Sequence, residues 1–190
     1  MRSPFSFIVK PSKGLRYDNV RDYGGVNFIT SVSKEDHKVS NRFAEVVSTP
    51  IGYEGPVSAG DTLLVHHNVF KFYYDMKGRQ RSGRSFFKDD LFFIEEDQFF
   101  LYKNKRSWKG HSKYCFVRPL KALNSVIFKN TSNEPLMGTL VYGNDQLSSL
   151  GVKEGSVVSY IPDSEYEFEV DGEKLYRMFT NNITIIHEEQ

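Results

Sequence analysis

VSAGDTLLV (Val57–Val65) and VKEGSVVSY (Val152–Tyr160) share a plan: a valine, a glycine three residues on, then a short β-rich run. They lie 95 residues apart. Other pairs flank them. FIVK (Phe7–Lys10) matches CFVR (Cys115–Arg118) at an offset of 108, and AEVV (Ala44–Val47) matches GTLV (Gly138–Val141) at 94. A repeat spanning half the chain is the signature of a duplicated unit. The offset falls by 14 between the first two matches, so the second half lacks about that many residues in one place. A hairpin follows each GD/GS strand, with its turn at MKGRQRSG in one half and VDGEK in the other. Each half then closes on a polar turn and a β-rich run, FFKDDLFFIEE and FTNNITIIHEE.

Strand signals run the length of the chain, short and bounded by turn residues. They fall at Phe5–Lys10, Phe43–Ser48, Asp61–His67, Phe70–Tyr74, Arg84–Phe87 and Leu91–Glu95. A second series covers Tyr114–Arg118, Ser125–Lys129, Gly138–Tyr142, Ser156–Ile161, Glu165–Val170, Lys174–Phe179 and Ile183–His187. No window of 12 residues has helical periodicity. The 16 Phe and 11 Tyr among 190 residues fit an all-β chain of sandwich or barrel type. The predicted division is 1–103 and 104–190, near the polar, basic KNKRSWKGHSK (Lys103–Lys113).

Composition excludes several classes. The net charge is +1, with +2 over 1–103 and −1 over 104–190, which argues against wholesale nucleic-acid binding. No apolar run approaches the roughly 18 residues of a membrane span. The single cysteine, Cys115, rules out an internal disulfide and reads as a buried structural thiol. Nothing at the N-terminus marks export, so a cytoplasmic location is expected. His66 and His67, taken as adjacent strand residues, point to opposite faces and form no metal site. His37, His111 and His187 stand in polar contexts and read as solvated. No nucleophile–base pair, metal set or P-loop occurs, so neither an enzyme nor a cofactor is expected.

The order of segments resembles the GroES co-chaperonin family over Phe5–Tyr102. FIVK resembles the family's "VIVK"; GGVNFIT resembles the "GGIVLT" of its mobile loop; NRFAEVVST resembles "TRGEVLAVG", with Ala44 in place of a glycine. VSAGDTLLV resembles "VKVGDIVIF", and KDDLFFIEE resembles "ESDILAIVE". The second half resembles it in VKEGSVVSY, GEKLYRM and NNITIIHE and has no counterpart of the mobile loop. The resemblance implies two tandem small GroES-like β-barrels, the first with a mobile loop over about 13–41. It also implies a GroEL-type chaperonin as partner, with ATP acting through that partner, and a homo-oligomeric ring. A heptamer with the second barrels as a further tier would present seven loops. The family's roof hairpin would insert at TPIGYEGPVSAG or YGNDQLSSLGVKEG, and both are too short, so an open-centred lid is expected.

The chaperonin-binding residues implied are Gly24, Gly25, Val26, Asn27, Phe28, Ile29 and Thr30. An apolar run inside polar flanks gains its burial on a partner and is ordered there. Two glycines permit the tight turn. Asn27 departs from the family's apolar tripeptide, so the working set is either Val26–Phe28 or Val26, Phe28 and Ile29. The alternative for the same stretch, GGVNFITSV, is an ordinary edge or hairpin strand packed on its own barrel. A second candidate surface is basic: Lys77, Arg79, Arg81 and Arg84 in DMKGRQRSGR, with aromatics nearby. It reads either as a solvated hairpin tip or as the basic–aromatic mixture of single-strand binding proteins. The alternative function for the whole chain is a structural or virion-assembly module, or an oligonucleotide-binding module, that keeps the barrel without the chaperonin. Divergence of this kind suits a bacteriophage protein acting in its host's cytoplasm, by analogy only.

Overall fold

The computed structural model describes residues 1–17, 20–24, 26–29, 40–104, 107–120 and 136–187, with side chains undescribed at 20–23 and 26–29. It divides into two compact units, Met1–Ser107 and Trp108–Gln190. Among the described residues the secondary structure is all β-strand apart from three single 3-10 turns and one short helix.

The first unit contains β1 (Phe7–Pro11), β2 (Val20–Tyr23), β3 (Val26–Ile29), β4 (Phe43–Ser48), β5 (Thr62–Val65), β6 (Phe72–Tyr74), β7 (Gln80–Ser82), β8 (Phe86–Lys88), β9 (Leu91–Ile94) and β10 (Phe99–Asn104). β11 (Ser107–Gly110) spans the division. The second unit continues with β12 (Tyr114–Pro119), β13 (Met137–Tyr142), α1 (Asp145–Ser149), β14 (Val157–Tyr160), β15 (Tyr166–Val170), β16 (Glu173–Phe179) and β17 (Ile183–His187).

Five strands of each unit repeat one another in register. Over the six strands that correspond, the order is β10-β5-β4-β1-β9-β8 in the first and β17-β14-β13-β12-β16-β15 in the second, and the first sheet carries β11 as a seventh strand. In the first, Val9 faces Val46 and Pro11 faces Ala44, with a bulge between Ile8 and Val9. In the second, Val117 faces Leu140 and Pro119 faces Gly138, with a bulge between Phe116 and Val117. Leu63 faces Ala44 and Tyr102; Val158 faces Gly138 and Ile186. Phe92 faces Val9 as Tyr176 faces Val117. The offsets are therefore 108, 94 and 95 for the first three strands and 84 for the last two. Register is fixed this firmly because a slip of one residue would turn every core side chain to the opposite face.

The same logic fills the cores. Phe7, Val9, Val46, Val57, Leu63, Val65, Phe92 and Ile94 are buried in the first unit. At the matching positions the second buries Cys115, Val117, Leu140, Val152, Val158, Tyr160, Tyr176 and Met178. One pair shows how local the fit is. Ala44 is fully buried. A Cβ at its counterpart Gly138 would lie 2.3 Å from Val117 Cγ1 and 2.5 Å from the Arg118 carbonyl oxygen.

Several expectations change. β8 and β15 lie at one end of their sheets and pair with neither β10 nor β17, so among the described residues neither sheet closes into a barrel. The closing strand of the first unit is β10, not the FFKDDLFFIEE segment; β10 follows the 3-10 turn Glu96–Gln98 as β17 follows Thr180–Asn182. The turn matching VDGEK is therefore at Asp89–Asp90, and MKGRQRSG belongs to a separate ribbon, β6–β7. Lys103–Lys113, expected to lack strands, contains β11 and the last residues of β10. The expected strand at Ser125–Lys129 lies outside the described residues. In YGNDQLSSLGVKEG the chain forms α1, capped by Asn144, whose Oδ1 accepts from the Leu147 N–H at 2.9 Å. Asn144 Nδ2 also donates to the Ser112 and Tyr114 carbonyls and to Thr180 Oγ1. That net explains why an asparagine is 5% exposed there.

Candidate functional site: two ribbons on one mount

Two segments of the first unit stand outside its main sheet, each as a two-stranded antiparallel ribbon. The first is β2–β3. Tyr23 faces Val26, Asp22 faces Asn27, Arg21 faces Phe28 and Val20 faces Ile29. Gly24 lies at the turn, exposed, with φ +67°. Such a φ suits a two-residue hairpin turn and favours glycine. Of the implied chaperonin-binding set, Gly24 is in the turn and Val26, Asn27, Phe28 and Ile29 form β3. Gly25 and Thr30 lie outside the described residues. The expected loop over 13–41 thus includes a hairpin, paired with itself and not with the main sheet.

Its base is sewn to the unit. Tyr17 and Ser40 form an isolated antiparallel bridge. The Asn41 N–H donates to the Arg16 carbonyl at 3.0 Å. Asn41 Nδ2 donates to the carbonyls of Ser12 (3.0 Å) and Leu15 (2.7 Å), while its Oδ1 accepts from the Phe43 N–H. Ser40 Oγ donates to the His67 carbonyl.

The second ribbon is β6–β7, where Phe72 faces Ser82, Tyr73 faces Arg81 and Tyr74 faces Gln80. The turn DMKG ends on Gly78 at φ +70°. Asp75 Oδ1 accepts from the backbone N–H of Lys77 and of Arg79, both at 2.9 Å, and Oδ2 accepts from Arg81 Nε at 3.2 Å. The Arg79 N–H, more than the other donors, holds the Asp75 carboxyl below its ordinary range. Lys77, Arg79, Arg81 and Arg84 are all exposed on or beside this ribbon. Of the aromatics expected beside them, Tyr73 and Tyr74 are 49% and 47% exposed, while Phe70 and Trp108 are buried. Trp108 Nε1 donates to Asp171 Oδ2 within the second unit.

Arg16 joins the two ribbons. Its Nε donates to the Phe70 carbonyl at 2.8 Å and its Nη1 to Ser82 Oγ at 3.1 Å. Its guanidinium carbon lies 3.5 Å from the centroid of Phe72, with Phe92 behind it at 5.0 Å. Tyr17 stacks on Phe72, and its hydroxyl oxygen accepts from the Phe72 N–H at 2.8 Å. Burial lowers the Arg16 pKa, with Tyr17 opposing. In the sequence, Arg16 is one of several charges in KGLRYDN. Nothing in that stretch signals its role, because the hydrogen-bond partners of its guanidinium lie more than 50 positions away.

The remaining candidates are structural. His66 and His67 lie beyond the end of β5, not on it; both are half-buried and their rings are 4.1 Å apart. His111, expected to be solvated, is buried, and burial depresses its pKa to about 4. His187 is exposed, with Nε2 2.8 Å from Ser159 Oγ; His37 lies outside the described residues. Cys115 is fully buried and its thiol is pushed up to about 12. No group of three or more His, Cys, Asp or Glu side chains gathers among the described residues, and no described helix is long and apolar enough to cross a membrane. No protein-family model and no curated protein matches the chain.

Proposed function

We propose that the chain is a divergent co-chaperonin lid, built of two tandem GroES-like units, that engages a GroEL-type chaperonin through the β2–β3 ribbon. The observation that carries this reading is the place of that ribbon. It arises between the first two paired strands of the unit, β1 and β4, where the resembled family inserts its mobile loop. It carries the glycine turn at Gly24 with the apolar run beside it, and Tyr17, Ser40 and Asn41 hold the described residues at its base. The duplicated register lends support. The glycine missing at Ala44 stands at its counterpart Gly138, where backbone crowding calls for it.

Burying Val26 and Phe28 in a groove of the partner supplies about 1.5–3 kcal/mol each, and ordering the segment takes back a few kcal/mol. One ribbon therefore binds weakly, and affinity comes from several ribbons on one assembly. The open sheets suit assembly. β17 is an edge strand of its sheet, with Ile185 55% and Ile186 44% exposed, the kind of edge that templates pairing with a second copy. The test is ATP-dependent co-sedimentation with a GroEL-type chaperonin. Wild type is expected to pellet with it and Val26→Asp/Phe28→Asp to remain in the supernatant. Absence of wild-type binding in every nucleotide state, or equal binding by the variant, would overturn the reading.

A further inference from the structure

We propose that the β6–β7 ribbon is a platform for single-stranded nucleic acid, with the Tyr73 ring as a stacking surface for a base and Lys77, Arg79 and Arg81 as phosphate contacts. The site is independent of the lid reading, which rests on the other ribbon.

Charge is concentrated here. Residues 1–103 hold 15 Lys or Arg against 13 Asp or Glu, yet Lys71–Arg84 holds five Lys or Arg against one Asp. The pairing then sorts the side chains. Phe72 and Ser82 lie opposite each other on the face that Arg16 grips. Tyr73 and Arg81, one residue further along each strand, lie opposite each other on the reverse face. The Cβ atoms of directly opposed residues on a ribbon are about 5 Å apart, so Tyr73 and Arg81 leave the same face of the ribbon as neighbours. Arg79, two residues from Arg81, falls on the Arg81 side of the ribbon. Asp75 orients Arg81 through Nε alone, so the guanidinium's outer nitrogens remain the natural phosphate fork.

The mounting also points to binding. A two-stranded ribbon with three-residue strands is marginal alone. Here Arg16, Tyr17 and Phe72 fasten its inner face to the unit, which pre-organises the outer one and lowers the ordering cost of binding. Tyr73 gains little from its own fold, being about half exposed. Base stacking on an exposed aromatic beside cationic groups is how sequence-tolerant single-strand binders work. An acidic peptide would use the cations and leave the ring without a partner of matching shape.

The test is fluorescence anisotropy of the full chain with fluorescein-labelled (dT)20 and (rU)20 between 50 and 200 mM NaCl. A 20-base-pair duplex and polyglutamate serve as competitors. With about three phosphates neutralised, log K is expected to fall with log salt at a slope of about −2. Tyr73→Ala is expected to weaken binding about tenfold with the slope unchanged. Arg79→Ala/Arg81→Ala is expected to flatten the slope by about 1.4. These side chains are exposed, so the variants should melt with wild type. Binding of either strand supports the proposal, and the tighter one indicates whether DNA or RNA is preferred. No binding at 50 mM salt, variants that bind as wild type does, or displacement by duplex or polyglutamate as effective as by single strand would each overturn it.

Discussion

Replacing Arg16 by alanine removes the bolt between the two ribbons, and its cost follows from the contacts. A hydrogen bond to a charged group contributes about 1.5–3 kcal/mol. Arg16 makes a short one to the Phe70 carbonyl and a longer one to Ser82 Oγ, which water can replace. The guanidinium over Phe72 adds about 0.5–2 kcal/mol. The Lys71 carbonyl, at 3.5 Å, adds little. The expected loss for Arg16→Ala is about 2–4 kcal/mol, less any recovery by water entering the gap. Arg16→Lys keeps the charge and one donor but not the fork, so about half of that loss is expected to return. The loss is local first. Hydrogen exchange followed by mass spectrometry should show faster exchange in peptides covering residues 70–84 and at the base pair Tyr17–Ser40. A 3 kcal/mol loss lowers the urea midpoint of the first unit by about 2 M for a domain of this size. If Arg16→Ala leaves both the exchange of 70–84 and that midpoint at wild-type values, Arg16 does not mount the ribbons.

Two further outcomes test the second unit. His111 has a folded pKa depressed to about 4 from 6.5 by burial, so the unfolded chain binds the proton more readily. Stability is then whole above about pH 6.5 and falls as pH drops toward 4, by about 1–2 kcal/mol once solvent screening is allowed for. Urea unfolding followed by the single tryptophan, Trp108, should shift to lower urea between pH 7 and 4.5 in wild type and shift less in His111→Gln; equal shifts would refute it. Gly138→Ala should destabilise the second unit by about 1–3 kcal/mol, because the new methyl meets backbone at 2.5 Å. Ala44→Gly should cost the first unit about 1–2 kcal/mol through a lost buried methyl and added chain entropy. A stabilised Gly138→Ala would mean that the two registers are not equivalent.

Much of the scaffold was legible because it obeys one rule, burial on alternate residues. Three short apolar runs carried offsets of 108, 94 and 95, and the paired strands reproduce each of them. Reading failed where that rule was silent. β10 follows a polar 3-10 turn, so the first unit seemed to end one strand early. The basic turn of β6–β7 looked like the repeat's own hairpin because both halves carry a turn in roughly that place. The apolar run of GGVNFITSV was visible, but its pairing with polar Val20–Tyr23 across Gly24 was not. His111 and Arg16 sit in hydrophilic stretches, and only distant partners bury the one and clasp the other.

Aligning the units by register separates scaffold from addition. Between β1 and β4 the first unit has 14 more residues than the second has between β12 and β13. Between Leu63 and Phe92 it has 11 more than the second has between their register partners Val158 and Tyr176. Those two surpluses contain the two ribbons, and both fasten at Arg16 and Tyr17. Core strands tolerate insertions poorly, since one added residue inverts a face, whereas loops between them accept length at a modest entropic cost. A duplicated sheet thus offers the same two loops twice, and in the first unit both are enlarged into self-paired arms. Both arms meet the described fold at Arg16 and Tyr17, so loosening there reaches both. That is why Arg16→Ala, which touches neither proposed contact surface, is expected to weaken chaperonin binding and oligonucleotide binding together.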